Sequence, residues 1–265
     1  MPEQTPTATL EGSISVLAAL ESKSRPIHNI YLRAGAPGRH ERTWRSIELL
    51  AKEQAVNLSR VPSTVIDGLA EGKTHGGVLA EVGERRHIEP AELLAAAGAV
   101  PFIVMLDGIE DPFNFGYAVR ALYAAGAQGL VLRPRNWMSA ANTVAKASAG
   151  ATERIPSTIF DTADEAASFF REHGLSVVCT AQRQATPLYE ADLTMPLFMV
   201  IGGEKRGITR SFLAKADLRV QIPYQYRFPY SLPANSAAAV LGFEVMRQRN
   251  WASPAAANSN IFPGQ

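Results

Sequence analysis

The stretch "PFIVMLDGIEDPFNFGYAVRAL", residues 101–122, decides the fold class of this chain. It begins as a near-continuous apolar run, which is typical of a strand buried on both faces of a parallel sheet. An acidic turn broken by Pro112 follows, and then a helix with Asn114 near its start and Arg120 further along. Because a buried strand that leads into a helix is the repeating unit of α/β folds, this junction predicts a parallel sheet covered by helices.

The same alternation continues on both sides of the junction. Further strands are predicted at "GLVLRPR", "LSVVCTA" and "LFMVIGG", with helices between them and a last helix at "NSAAAVLGFEVMRQRN". Before residue 85, shorter strands and helices alternate and predict a small α/β module, followed by a charged and then Ala-rich linker. We therefore expect two α/β domains, at residues 1–90 and 91–265. The second should be a doubly wound open sheet whose ligands bind beyond the carboxyl ends of the strands.

Composition and charge restrict the function classes. The chain has 265 residues, of which 46% are hydrophobic, enough for one large core or two modest ones. Its 26 basic and 25 acidic residues give no global attraction for polyanions, so a nucleic-acid surface must come from local clustering. The single cysteine, Cys179, excludes an internal disulfide and a cysteine-based metal site; we expect it to be a small buried residue in a reducing compartment. With no leader and no long apolar stretch in the sequence, we expect a cytoplasmic protein without membrane or metal partners.

Two more segments fall at predicted strand ends. In "VIGGEKRGI", residues 200–208, glycines permit a tight backbone path and close approach of a ligand. This segment has neither the glycine spacing of a dinucleotide fingerprint nor the lysine-hydroxyl ending of a phosphate loop. In "QIPYQYRFPYSLPANSAAAVLGFE", residues 221–244, a loop rich in Pro and Tyr enters a helix through Ser231 and Asn235. Its aromatic residues offer stacking faces for an extruded base, although tyrosines beside a pocket are as often packing residues.

The order of the three segments resembles the SpoU (TrmH) family of ribose 2'-O-methyltransferases, within the SPOUT superfamily. "DPFNFGYAVRAL" is similar to the first motif of that family, "VIGGEKRGI" to the second and "IPY…SLPANSAAAVLGFE" to the third. "LEGSISVLAALES…IHNIYL…THGGVLAEV" is similar to the small ribosomal-protein-like RNA-binding domain that precedes the catalytic domain in many members. The resemblance thus covers the whole chain. It also suggests that His75, in "KTHGGV", shapes a turn and does not bind a metal.

The resemblance implies an S-adenosylmethionine-dependent RNA methyltransferase with a deep trefoil knot in its C-terminal domain. It also implies a homodimer that completes the site, and ribosomal RNA in preference to transfer RNA as the substrate. By position, the residues expected to hold the cofactor are Thr180, Gly202, Gly203, Gly207, Ile222 and Leu232. Those expected to form the active site are Asn114, Arg120, Glu204, Ser231 and Asn235.

The residue types suit this chemistry. Arg120 resembles the family's activator of the ribose hydroxyl; since a guanidinium stays protonated in proteins, we expect it to hold an RNA phosphate and stabilise negative charge on the oxygen. Asn114 and Glu204 would have orienting roles. Each of the three also has an ordinary structural interpretation: a helix cap for Asn114, a solvated side chain for Arg120 and an exposed turn residue for Glu204. Likewise, Arg33, Arg39, Arg42 and Arg45 are compatible either with an RNA-facing patch or with scattered surface charge.

The third motif departs from the family pattern. The family usually has Ser-Leu-Asn-Val-Ser, whereas this chain has Ser231, Leu232, Pro233, Ala234 and Asn235. Proline has no backbone donor and a fixed φ, so it remodels the loop. Three alternatives stay open: Asn235 supplies the missing amide, the site is rearranged for a different nucleotide, or the chain is a SPOUT-fold RNA-binding protein with impaired catalysis. A nucleotide-dependent oxidoreductase is disfavoured because the glycine fingerprint is absent.

Overall fold

The computed structural model describes residues 8–35, 41–134, 140–203 and 207–251, with residue 251 described by its backbone alone. Its packing divides the chain into two compact units, each built from two stretches. The first unit comprises residues 1–87 and 135–155, and the second comprises residues 88–134 and 156–265. The first unit thus includes residues 135–155, which the predicted boundary at residue 90 places in the second domain. As a division into functional domains, 1–90 and 91–265 stays a prediction.

The first unit is a four-stranded mixed sheet covered by helices. Its strands are β1 (Ala8–Glu11), β2 (Ile27–Arg33), β3 (Asn57–Val61) and β4 (Val78–Val82). They lie in the order β1-β4-β2-β3, with β2 and β3 parallel and the other pairs antiparallel. Its helices are α1 (Ser13–Ser22), α2 (Glu41–Glu53), α3 (Ser63–Leu69), α6 (Ala141–Ala147) and α7 (Ala151–Arg154). The predicted elements before residue 85 are confirmed. The sequence prediction missed β1 because four residues are too few to show an alternating pattern.

Two sequence predictions, for His75 and for a group of arginines, concern this unit. His75 accepts a hydrogen bond on Nδ1 from the Gly77 N–H (3.1 Å), and its Nε2 lies 3.0 Å from Asp67 Oδ1, which confirms that it shapes a turn. Arg33, Arg42 and Arg45 are exposed, whereas Arg39 lies outside the described residues.

A buried ion pair attaches residues 151–155 to the first unit. Glu153 of α7 is 3% exposed and accepts hydrogen bonds from Arg25 Nη2 (2.8 Å), Arg25 Nε (2.9 Å) and the Ser24 hydroxyl (2.5 Å). Burial by itself would raise the pKa of Glu153, but Arg25, with help from Arg85 and Ser24, holds that pKa below its ordinary value. Gly150 brings the same segment so close to α1 that an added Cβ would lie 2.5 Å from Ala18 Cβ.

Helix α6 is attached through a second buried carboxylate. Glu11, which is fully buried, pairs with Lys146 of α6 and accepts the backbone N–H of Glu71 (2.6 Å). The backbone N–H of Glu11 donates in turn to the Asn142 side chain at 3.2 Å. Buried charges are tolerated when they are paired and hydrogen-bonded in this way.

The second unit is built on a parallel sheet of seven strands. These are β5 (Phe102–Asp107), β6 (Gly129–Leu132), β7 (Ser157–Ile159), β8 (Ser176–Thr180), β9 (Thr186–Pro187), β10 (Leu197–Gly202) and β11 (Leu218–Gln221). Its helices are α4 (Pro90–Ala97), α5 (Pro112–Ala124), α8 (Ala163–Glu172), α9 (Arg210–Lys215) and α10 (Ala234–Trp251), with a 3-10 turn at Leu188–Glu190. Every strand pairing is parallel, so the predicted parallel α/β sheet is confirmed. The sequence prediction missed β7, β9, β11, α7 and α9, all of six residues or fewer.

The strand order β7-β6-β5-β10-β8-β11-β9 places β10 between β5 and β8. The chain therefore runs outward from β5 through β6 and β7, and then continues on the other side of β10. In parallel sheets such a reversal leaves a crevice at the carboxyl ends of the strands, where ligands bind. Gly202 at the end of β10 lies in register with Asp107 at the end of β5.

The core of this unit is formed by apolar side chains from the sheet and from α8. Phe170 of α8 packs on Phe198 of β10, with ring centroids 4.7 Å apart. Cys179 lies in the same core and is fully buried, and burial raises the pKa of its thiol to about 11. This confirms the interpretation of Cys179 as a small buried residue. Among the described helices, none is both long and apolar enough to cross a membrane.

We predict that Glu153→Gln destabilises the protein, because it leaves the Arg25 guanidinium buried without its charge partner. The expected loss is about 3–5 kcal/mol in the free energy of unfolding measured with urea. Glu21→Gln is the matched control, since Glu21 pairs with Arg154 at 2.5 Å with both side chains about one-third exposed. That control should cost about 0–1 kcal/mol. Equal losses in the two variants would contradict the role given to the buried pair.

The same pair predicts a pH dependence with a defined sign. Because the pKa of Glu153 is lower in the folded state than its ordinary value of 4.5, the ionised pair adds stability above that pH. This stability is lost as the pH falls below 4.5 toward the folded-state pKa. Unfolding titrations should therefore show the difference between wild type and Glu153→Gln shrinking in acid. A difference that stays constant with pH would show that Glu153 is not the titrating group.

Candidate functional site

A pocket of about 1280 Å³ opens at the carboxyl ends of β8, β10 and β11, within the second unit. It is larger than most small-molecule sites, which measure about 300–1,000 Å³. Its walls come from the loops that follow these three strands, from α9 and from the start of α10. The pocket therefore occupies the edge of the sheet where the strand order predicts a ligand.

The structure brings together seven of the eleven site residues predicted from the sequence. Thr180, Gly202, Gly203, Gly207, Ile222, Ser231 and Leu232 all line this pocket. They include the whole set expected to hold a cofactor. Glu204 lies outside the described residues. Asn114, Arg120 and Asn235 are described but do not line the pocket. The role of each residue stays a prediction.

The glycine loop after β10 depends on close backbone contacts. The Gly203 N–H donates to the Asp107 carbonyl at 2.7 Å, and a Cβ added at Gly203 would lie 2.2 Å from the Gly108 carbonyl oxygen. No larger residue fits there unless the backbone moves. The Gly202 N–H donates to the Thr180 hydroxyl at 3.2 Å, which connects the loop to the end of β8.

The helix of the first motif, α5, is capped by a residue other than Asn114. Asp111 is the N-cap of α5, and its carboxylate accepts the Asn114 N–H at 2.7 Å. Interpreting Asn114 as a cap is therefore wrong, because the preceding acidic residue has that role. The Asn114 side chain is half-buried, and Arg120 is exposed on the same helix. Within the described parts of the chain, Arg120 has no ion-pair partner.

The third motif accommodates Pro233 immediately before α10. The Pro233 carbonyl accepts the Ala237 N–H at 3.0 Å, so Pro233 lies at the start of the helix. Backbone N–H groups at this end have no acceptor within the helix, and the donor that proline lacks is therefore not missed. The Leu232 N–H donates to the Tyr224 hydroxyl at 3.0 Å, which ties the pocket wall to the aromatic segment before it. The Asn235 side-chain oxygen accepts the Ser236 N–H at 2.9 Å.

Sequence reasoning missed four arginines that line the pocket, namely Arg183, Arg210, Arg219 and Arg227. Among the described lining residues there is no Asp or Glu, so the charged side chains of the described lining are all basic. The available signal was the segment "AQRQ", which follows β8 at the ligand-binding edge of the sheet. The described residues contain no cluster of three or more His, Cys, Asp or Glu that could hold a metal ion.

Two models of known protein families match this chain. Residues 101–243 match the SpoU rRNA Methylase family, and residues 9–87 match the domain described as RNA 2'-O ribose methyltransferase substrate binding. YacO of Bacillus subtilis, a TrmH-family protein, is 36% identical over 76% of this chain and 81% of its own length. The 23S rRNA (guanosine-2'-O-)-methyltransferase RlmB of Pseudomonas putida is 31% identical over 90% of this chain and 95% of its own length.

Solved structures share the fold. An RNA 2'-O ribose methyltransferase superposes with a TM-score of 0.72 at 23% identity, covering 91% of this chain and 88% of its own. The SpoU methyltransferase AviRb from Streptomyces viridochromogenes, solved in complex with AdoMet, gives a TM-score of 0.73 at 19% identity, covering 91% and 90%. The first family model spans more than half of the chain, and the relatives match both units. The chain belongs to the SpoU rRNA Methylase family.

Proposed function

We propose that this protein transfers a methyl group from S-adenosylmethionine to a ribose 2'-hydroxyl of RNA, with ribosomal RNA as the first substrate to test. The observation that carries the proposal is the pocket, which gathers all six expected cofactor residues and Ser231 at the ligand-binding edge of the sheet. Family membership and the RlmB relatives, which act on 23S rRNA, support this choice of substrate.

The lining residues suit an adenosine-containing cofactor. Ile201, Ile222 and Leu232 give apolar walls for a purine, and the glycine loop exposes backbone where side chains would obstruct the ligand. When bound, S-adenosylmethionine supplies an electrophilic methyl group on a sulfonium. The cationic lining suits the carboxylate of the cofactor and the phosphates of an RNA strand equally well.

In the overall reaction the methyl group replaces the proton of the ribose hydroxyl, which is released to solvent, and S-adenosylhomocysteine is the second product. The chain's own residues would align the hydroxyl and stabilise the negative charge that develops on its oxygen. Arg120 holds an RNA phosphate and stabilises negative charge on the attacking oxygen, because its guanidinium stays protonated. Asn114, six residues earlier on α5, orients Arg120 or the glycine loop through its amide, and Glu204 orients that loop from within it. Ser231 lines the pocket, and its proposed role is to contact the ribose hydroxyl.

A homodimer is part of the proposal. Phe113 and Tyr117 of α5 and Phe243 of α10 are 53%, 44% and 45% exposed, although α5 and α10 pack on each other. Since Asn114 and Arg120 do not line the pocket of their own chain, a second copy would complete the site by bringing α5 to it. The deep trefoil knot also belongs to the proposal; the placement of β10 between β5 and β8 supports it. A cytoplasmic location is proposed because the free thiol of Cys179 suits a reducing compartment.

We predict that the purified protein methylates deproteinised ribosomal RNA from cells lacking its gene, and that Arg120→Ala lowers kcat by about 10²–10³-fold. Transfer of radiolabel from S-adenosylmethionine to RNA, followed by nuclease mapping of the 2'-O-methyl, measures both. Arg171→Ala is the control, since Arg171 is a partly exposed arginine of α8 outside the pocket. Calorimetric titration with S-adenosylmethionine should give the same affinity in wild type and Arg120→Ala.

A blocked pocket tests the cofactor site separately. Leu232→Trp, at a half-buried lining position, should abolish S-adenosylmethionine binding, whereas Val100→Trp, at a residue 43% exposed and outside the pocket, should not. Cofactor binding without transfer to any RNA would instead support a SPOUT-fold RNA-binding protein with impaired catalysis. Absence of cofactor binding in a folded wild type would refute the proposed pocket.

A further inference from the structure

The segment between β11 and Ser231 exposes an unusual amount of aromatic surface. We name residues 224–230 the aromatic loop; within it, Tyr226, Phe228 and Tyr230 are 82%, 56% and 70% exposed. Contiguous exposed apolar surface of this kind marks a binding site in most proteins. It is the densest such group in the described part of the chain, with three of the exposed aromatic rings within five residues.

The aromatic loop is held in place by its own contacts. The Tyr224 hydroxyl accepts the Leu232 N–H at 3.0 Å, and the Phe228 and Tyr230 rings meet edge to face with centroids 5.4 Å apart. Pro223 and Pro229 restrict the backbone at the two ends. A loop held in this way presents its rings without a large ordering cost when a ligand binds.

The charges around the aromatic loop select the class of partner. The loop forms one wall of the pocket, and Arg183, Arg210 and Arg227 line the same pocket. All three are exposed, and none has an ion-pair partner among the residues that the structure describes. Aromatic faces together with unpaired guanidinium groups are the surface that single-stranded nucleic acids require, since bases stack on the rings and phosphates pair with the cations.

We propose that the aromatic loop is a stacking platform for unpaired bases of the RNA substrate, with Arg183 and Arg210 holding the phosphates beside it. This inference rests on the proposed function, because it takes RNA as the substrate. The bases must be unpaired, since an A-form duplex hides base faces in its stack and offers mainly phosphates and 2'-hydroxyls. The platform therefore selects loops, bulges or single strands. The size of the pocket, about 1280 Å³, leaves room for a nucleotide beside the cofactor.

The test compares RNA with and without bases. Fluorescence anisotropy, without S-adenosylmethionine, measures binding to a labelled single-stranded RNA of about 12 nucleotides and to an abasic strand of the same length. The double variant Tyr226→Ala and Tyr230→Ala should bind the base-bearing strand about 10- to 100-fold more weakly and the abasic strand unchanged. The corresponding double Tyr→Trp variant should bind as wild type does. Tyr189→Ala is the control, because Tyr189 is 60% exposed and lies outside the pocket.

A second double variant tests the phosphate contacts. Arg183→Ala with Arg210→Ala should weaken binding to both strands alike and reduce the slope of log affinity against log salt by about 0.7 per lost contact. A weaker binding of the base-bearing strand alone in this variant would contradict the assignment of the two arginines to phosphate.

Other outcomes separate the platform from its alternatives and from the proposed function. Equal loss on both strands in the tyrosine variant would show that its effect does not come from stacking on bases. Unchanged RNA binding with lost cofactor binding would make the loop a cofactor lid. Conversion of a wild-type dimer into a monomer would make it an interface between copies. If the wild type binds RNA through stacking but transfers no methyl group, the proposed function is refuted and the platform is supported. Methyl transfer with unaltered RNA affinity in the tyrosine variant refutes the platform alone.

Discussion

The close backbone contact between Gly203 and Gly108 is the constraint on which the pocket depends. It joins the loop after β10 to the loop after β5, through the hydrogen bond from Gly203 N–H to the Asp107 carbonyl and a separation that admits no Cβ. Because β10 lies between β5 and β8, this contact and the bond from Gly202 to Thr180 draw three strand ends to one edge of the sheet. The pocket walls follow from that convergence. The glycines of the second motif therefore have a steric reason that is separate from any contact with a ligand.

The first unit depends on charges buried in pairs. Glu153 with Arg25, and Glu11 with Lys146, attach residues 141–155 to a sheet formed by a distant stretch of the chain. Each carboxylate is held by more than one donor, which offsets the cost of removing it from water. Buried pairs of this kind contribute less to net stability than an apolar core does. A misplaced segment, however, would leave a charge buried without a partner, which costs about 3–5 kcal/mol.

The pocket combines two recognition chemistries in one cavity. Apolar side chains and glycine backbone suit a purine-containing cofactor, whereas the aromatic loop and the arginines suit a polyanion with stacking bases. Near-neutral overall charge, with 26 basic and 25 acidic residues, conceals this local imbalance. Proline at position 233 is compatible with the architecture, because a helix start does not use the missing donor.

The sequence alone determined the α/β class, the parallel sheet of the second unit and its principal strands and helices. Long apolar runs and helical periodicity are local signals that can be read without knowledge of the tertiary contacts. The family resemblance supplied six cofactor positions and Ser231, which the structure brings together in one pocket. Only the tertiary structure decided which strands are neighbours, that residues 135–155 join the first unit, and that Arg183 and Arg210 face the pocket. The physical reason is that these features depend on contacts between residues far apart in the chain, and short strands such as β1, β7 and β9 form only when a neighbour completes their hydrogen bonds. Asp111 replaced Asn114 as the helix cap for a related reason: both residue types suit a cap, and the backbone path through Pro112 chose between them.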